Sequence, residues 1–140
     1  DLVAKYLAEE YLSFGQAVPL IPILDLLLVF NSGIAFSILD FNNSFLSLSL
    51  SLIGLMIVAY LHSLYIREES SINRFSLILI ISGALGNILD RLPDGVVTDF
   101  LFFHVGNTSF FIFNFADAFI SIGAALFFLM EFKKFLQNRS

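Results

Sequence analysis

A chain of 140 residues is long enough for one domain and too short for two. Hydrophobic residues make up 58% of it and charged residues 14%, with a mean hydropathy of +0.89. So small a globule cannot bury that much apolar surface, and a soluble domain would carry roughly a quarter charged residues. A lipid-embedded helical bundle is therefore expected. The net charge of −5, with no basic patch, argues against a nucleic-acid partner. The lack of cysteine excludes disulfides, thiolate nucleophiles and Cys-based metal sites. With only His62 and His104, a multi-histidine metal site is not expected either.

Residues 1–12 read as the end of a helix too short to cross a bilayer, with Glu9 and Glu10 toward its outer end. A first span truncated at its N-terminus is the expectation. Residues 15–43 differ in character. Gly15, Pro19 and Pro22 punctuate short β-type runs such as Leu26–Phe30, and Gly33, Asp40, Asn42 and Asn43 mark turns. A small sheet or hairpin on the outer membrane surface is predicted there. Residues 45–66 suit a span. Their opening Ser/Leu alternation also fits a strand, but length and the apolar continuation favour a helix. Residues 67–74 form a polar turn. Residues 75–89 give a second span that starts near Ile72, and Gly83, Ala84 and Gly86 permit close helix contact.

Pro93, Asp94 and Gly95 should break that helix. Residues 96–112, apolar but interrupted by Asp99, His104, Gly106 and Asn107, read as an extended or interfacial loop. Residues 114–135 form the last span. The basic tail of Lys133, Lys134 and Arg139 marks the cytoplasmic side, together with Arg67 and Arg74. The 90–113 segment then lies outside. No repeat or linker supports a second domain.

Two carboxylates stand out. Asp99 falls in the outer segment and Asp117 at the head of the last span. An ionisable group in or beside a span is costly and points to function. Two that meet can share a proton and do acid–base work. The bland reading, aspartates capping helix ends, has about even odds for Asp117 taken alone.

Five ordered blocks resemble one family, the bacterial lipoprotein signal peptidases (signal peptidase II). Asp1-Leu-Val-Ala-Lys5 resembles its first-span Asp-x-x-x-Lys. Asn31-Ser-Gly33-Ile-Ala35-Phe36 resembles its Asn-x-Gly-x-Ala-Phe. Gly83-Ala-Leu-Gly86-Asn87-Ile-Leu-Asp90-Arg91 resembles its Gly-x-x-x-Asn-x-x-Asp-Arg, and Gly95-Val-Val-Thr-Asp99-Phe continues it. Phe113-Asn114-Phe-Ala116-Asp117 resembles its Phe-Asn-x-Ala-Asp. Each block is modest alone, and in order they cover nearly the whole chain. One departure is that Phe30 precedes Asn31, where some members carry a basic residue.

The resemblance implies a catalytic dyad of Asp99 and Asp117, with Asn31, Gly33, Asn87, Arg91 and Asn114 orienting it or holding substrate. Asp1 and Lys5, four apart on one helix face, are expected to pair as structural support. Asp90 is a competing dyad partner, read instead as structural or headgroup-facing beside Arg91. Asp94 lies in a Pro-Asp-Gly turn. His62 reads as a hydrogen-bonded core or interface residue, His104 as a loop residue without a partner, and Glu131 as a solvated helix end. The implied fold is an all-α membrane protein, a four-transmembrane-helix bundle with a small extracytoplasmic β-rich platform, in a single domain over 1–140. The implied activity is an aspartyl endopeptidase of the bacterial cytoplasmic (inner) membrane, active toward the extracytoplasmic face. It would cut diacylglyceryl-modified lipoprotein precursors just before the lipidated cysteine. No cofactor is implied, and a monomer is expected.

Two rivals remain from the residues themselves. One is a small transporter or assembly subunit that uses the aspartates as a proton or cation site. The other is a metal-dependent hydrolase. Carboxylates far apart, or on opposite membrane sides, would favour the first.

Overall fold

The computed structural model describes residues 1–33, 43–137 and 139. Ala35, Phe36, Asp40 and Asn42 lie outside the described residues. The order is α1 (Leu2–Tyr11), β1 (Val18–Ile21), β2 (Leu24–Asn31), α2 (Asn43–Arg67), α3 (Ser71–Asp94), β3 (Val97–Val105), β4 (Thr108–Phe113) and α4 (Phe115–Gln137). The segments Ser47–Arg67, Ser71–Asp94 and Phe115–Gln137 are long and apolar enough to cross a membrane. Their outward faces are apolar too, with Leu52, Met56, Ile57, Phe128, Leu129 and Phe132 all exposed. That surface suits lipid, where a helix satisfies its own backbone. α1 has ten residues, Leu2–Tyr11, within the stretch 1–12 read as helical from the sequence.

The second span begins where expected and ends later. Ser70 caps it by accepting the Asn73 N–H. The helix runs through Pro93, and the break falls at Gly95, whose φ of 89° closes the last turn. Proline in a final turn forfeits little, because few intrahelical bonds remain to lose.

Residues 96–112 are not a loop. They form β3 and most of β4, an antiparallel hairpin that completes a four-stranded sheet in the order β1-β2-β3-β4. The run hid its strand character because β3 is buried continuously from Val97 to Leu101, so no alternation shows. α1 lies against this sheet. Ala8 meets Leu28, Phe100 and Leu101 in a small core, with Leu12, Leu24 and Phe113 around it.

α3 is the central helix, packed against both α2 and α4. Two glycines set its approach to α4. A Cβ on Gly83 would run into the Ala116 carbonyl oxygen, and one on Gly123 would lie 2.7 Å from the Ser76 carbonyl oxygen. Both clashes are with backbone, which cannot rotate away. Gly83→Ala is therefore expected to push the helices apart and cost about 1–3 kcal/mol. Thermal unfolding in detergent checks this, and an unchanged melting temperature would contradict it.

Candidate active site

α4 begins with a reciprocal cap. The Asp117 N–H donates to Asn114 Oδ1 at 3.0 Å, and the Asn114 N–H donates to Asp117 Oδ2 at 3.2 Å. This is the geometry of a capping box, with Asn at the cap and a carboxylate three residues on. The bland reading of Asp117 is thus true, but it does not exhaust the residue. Its other oxygen, Oδ1, accepts the Asn87 amide at 2.8 Å. The carboxylate also sits at the positive end of the helix dipole.

Asp99 comes from β3 and is 3% exposed. Asn114 Nδ2 donates to its Oδ1 at 2.7 Å, so one fully buried asparagine touches both aspartates. Asn31 Nδ2 donates to Asp99 Oδ2 at 3.0 Å. Register explains this contact. Val29 pairs with Asp99 across the ladder, and Asn31, two residues on, shares its face. Burial raises the Asp99 pKa above the ordinary carboxylate range. The Asn31 and Asn114 donors oppose this, and the nearby Asp117 charge adds to it.

Gly33 supports Asn31. Its N–H donates to Asn31 Oδ1 at 2.8 Å, and its φ is 84°. A Cβ there would lie 2.7 Å from Leu50 Cδ1. Any other residue would be strained in backbone and in space.

Behind the aspartates lies a buried cation. Lys5 Nζ donates to Asn87 Oδ1 at 2.7 Å and forms ion pairs with Asp1 Oδ2 at 2.9 Å and Asp90 Oδ2 at 3.0 Å. The expected Asp1–Lys5 pair is present. The Asn87 amide is thereby oriented, with its oxygen on Lys5 and its nitrogen on Asp117. Asp1 also accepts the Ala116 N–H at 3.0 Å, a second cap for α4 supplied by α1.

Asp90 faces the buried cation. It is held by Lys5 and by the Thr98 N–H at 2.8 Å, and among the described residues it makes no ion pair with Arg91. No contact between Arg91 and the aspartates appears among the described residues, although its Nη2 would lie 3.4 Å from a Cβ on Gly33.

Other expectations need correction. His104 is a β3 residue with its Nε2 3.2 Å from Asp25 Oδ1. The partner comes from a strand far away in sequence. His62 is exposed on α2 and stacks on Tyr65 rather than hydrogen-bonding in a core. Glu131 is no simple solvated end, because it accepts from buried Asn73 at 2.7 Å and pairs with Lys134 at 2.8 Å. Backbone hydrogen bonding from Ser70 lowers the pKa of neighbouring Glu68. This polar cluster and the aspartates occupy opposite ends of α4, roughly 25 Å apart by helical rise. Among the described residues no group of His, Asp and Glu could hold a metal ion.

A groove of about 510 Å³ opens over Asp99, lined by Val29, Asn31, Phe102, Phe110 and Phe111 among others. The site thus has two carboxylates linked through Asn114, one of them buried, beside a trough whose lining mixes Phe102, Phe110 and Phe111 with Asn31, Ser32 and Ser109.

The model of the family described as Signal peptidase (SPase) II matches residues 1–133. Lipoprotein signal peptidases from Brucella ovis and Brucella melitensis are each 39% identical to this chain, over 99% of it and 86% of their own length. A solved bacterial membrane enzyme, determined in meso at 2.3 Å, superposes with a TM-score of 0.84. It is 28% identical and covers all of this chain and 84% of its own. A second, at 1.9 Å, superposes with a TM-score of 0.82 at 28% identity, over 93% of this chain and 83% of its own.

Proposed function

The chain belongs to the signal peptidase II family, and from that premise we propose that Asp99 and Asp117 are its catalytic dyad. As a member it is an aspartic endopeptidase of the bacterial inner membrane that removes lipoprotein signal peptides. Finer points belong to this reading. The scissile bond is the one before a diacylglyceryl-modified cysteine, and the dyad faces the extracytoplasmic side. The enzyme acts as a single-domain monomer without a cofactor and does not bind nucleic acid.

The observation that carries the reading is Asn114, whose side chain links the two carboxyl-bearing residues directly. The Asp117 charge opposes ionisation of Asp99, so the pair is assigned one shared proton. The raised affinity of Asp99 favours that residue as its holder. Asp117, bound by Asn87 and by the helix start, is then the carboxylate. It takes a proton from a water, whose oxygen adds to the scissile carbonyl carbon. Protonated Asp99 donates to the carbonyl oxygen. Collapse of the gem-diol intermediate breaks the C–N bond: the proton held by Asp117 passes to the leaving nitrogen while one hydroxyl returns its proton to Asp99 as the new carbonyl forms, which restores the singly protonated pair. The trough lined by Phe110 and Phe111 suits an extended apolar segment entering from lipid.

One test follows from the Asn31 contact. Its N–H stabilises the Asp99 carboxylate, so its loss raises the Asp99 pKa further. In Asn31→Ala, the basic limb of the pH–rate profile should move to higher pH, because the shared proton is held longer. The titration belongs to the pair. Initial rates on a lipid-modified precursor across pH check it, and a limb displaced to lower pH would contradict the reading.

A further inference from the structure

Asp1, Lys5 and Glu9 are spaced four apart and form one polar stripe along α1 and its N-cap. Each reaches a different element. Asp1 accepts the Ala116 N–H at the start of α4. Lys5 holds Asn87 and Asp90 of α3. Glu9, one turn further on, accepts the hydroxyl of Thr98 in β3. Ala116 directly precedes Asp117, and Thr98 directly precedes Asp99. One face of a short helix thus grips the residue before each aspartate. The two grips start about 12 Å apart along the helix by its rise.

Thr98 is 2% exposed. Its N–H donates to Asp90 Oδ2 at 2.8 Å, and its carbonyl accepts Asn114 Nδ2 at 3.5 Å, the same amide that holds Asp99. The position lies in the run of β3 buried from Val97 to Leu101, where a valine of nearly the same shape would need no partner. A hydroxyl there is costly unless it is bonded. Once bonded, it fixes a distance and a direction, which apolar packing alone does not. Side chains alternate along a strand, so Thr98 points to the face opposite Asp99. Among the described residues that line the trough, neither Thr98 nor Glu9 appears. Glu9 therefore bears on Asp99 from behind the strand, away from the substrate side.

We infer that Glu9 is a positioning residue: with Asp1 at the other end of the stripe, it sets the separation of Asp99 and Asp117 through the residue before each. This role rests on the assignment of those two aspartates as the dyad. It depends on the reach of the Glu9 side chain rather than on its charge. A misplacement of about 1 Å at a reacting group can cost roughly 10²-fold in rate, so a grip one residue away acts on turnover.

The test measures kcat and KM on a lipid-modified precursor for the full chain in detergent, with the melting temperature of each variant taken alongside. Thr98→Val and Glu9→Ala should each lower kcat about tenfold, the rate equivalent of one charge-assisted hydrogen bond. KM should stay unchanged, since neither side chain lines the trough. The double variant Glu9→Ala/Thr98→Val should be no slower than either single one, because the same contact is lost in all three. Two further variants separate reach from charge. Glu9→Gln keeps an acceptor at the same length and should stay within about threefold of wild type. Glu9→Asp keeps the charge but is one methylene short, and should be as slow as Glu9→Ala. The Glu9 series alters an exposed side chain, so a folding defect in Thr98→Val does not blunt the test. Wild-type kcat in Thr98→Val, or a raised KM at unchanged kcat, would overturn the role. Additive losses in the double variant would overturn it too, as would full rate in Glu9→Asp with loss in Glu9→Gln. Asp99→Asn, run in parallel, keeps the two readings apart. If it is inactive while the Thr98 and Glu9 variants run at full rate, the dyad stands and the positioning role falls; full activity in Asp99→Asn removes both.

Discussion

Protein carrying Asp99→Asn or Asp117→Asn is expected to fold and insert normally and to cleave nothing measurable. An amide nearly matches a carboxylate in shape but cannot take up the proton. The loss should reach at least about 10³-fold, within the range that one positioned acid or base supplies. The more telling result is the double variant. Residues that act as one unit lose their effect together, so Asp99→Asn/Asp117→Asn should be scarcely worse than either single change. Initial rates on a lipid-modified precursor measure all three, with circular dichroism in detergent checking the fold. His62→Ala is the matched control, since His62 is exposed on α2 and, among the described residues, stacks on Tyr65. Full activity in either single aspartate variant would remove that residue from the chemistry. It would also revive the rival in which the carboxylates serve a cation.

The second large effect is on stability. Lys5 is 1% exposed and neutralises Asp1 and Asp90 while orienting Asn87. Lys5→Met fills similar space but leaves two largely buried carboxylates without their cation. Breaking such a pair from one side costs about 3–5 kcal/mol, a large share of the 5–15 kcal/mol that typically holds a domain together. The variant should melt at a markedly lower temperature, and activity should fall even where it stays folded, because Asn87 loses its anchor. Chemical denaturation in detergent gives the first quantity and residual cleavage rate the second. Wild-type stability in Lys5→Met would mean that the cluster is less tightly coupled than its distances imply.

The two spans after residue 43, the short first helix and the last span were legible, because long apolar runs with polar ends have few other solutions in lipid. The two aspartates and their asparagines were legible through ordered motifs. What escaped was determined by tertiary contact. The hairpin of β3 and β4 carries no alternation, since its first strand is buried on both faces. Asp90 was set beside Arg91 because they are adjacent in sequence, whereas its partner is Lys5, 85 positions away. The same holds for His104 with Asp25, and for Asn73 with Glu131. Neighbourhood along the chain is a poor guide where a sheet or a helix pair brings distant side chains together. The second cap on α4, from Asp1 to the Ala116 N–H, left no local signal at all.

That cap ties the earliest helix to the last one, and biosynthesis runs in that direction. When a ribosome has delivered α1, β2, α3 and β3, the chain already holds Lys5, Asp90 and Asp99. It still lacks Asn114 and Asp117, and Asp1 has no amide to receive. Only the arrival of α4 supplies the second carboxylate, the bridging asparagine and the partner for Asp1 in one short stretch, residues 114–117. If Asp99 and Asp117 are the dyad as proposed, a chain truncated before residue 114 is expected to be proteolytically silent.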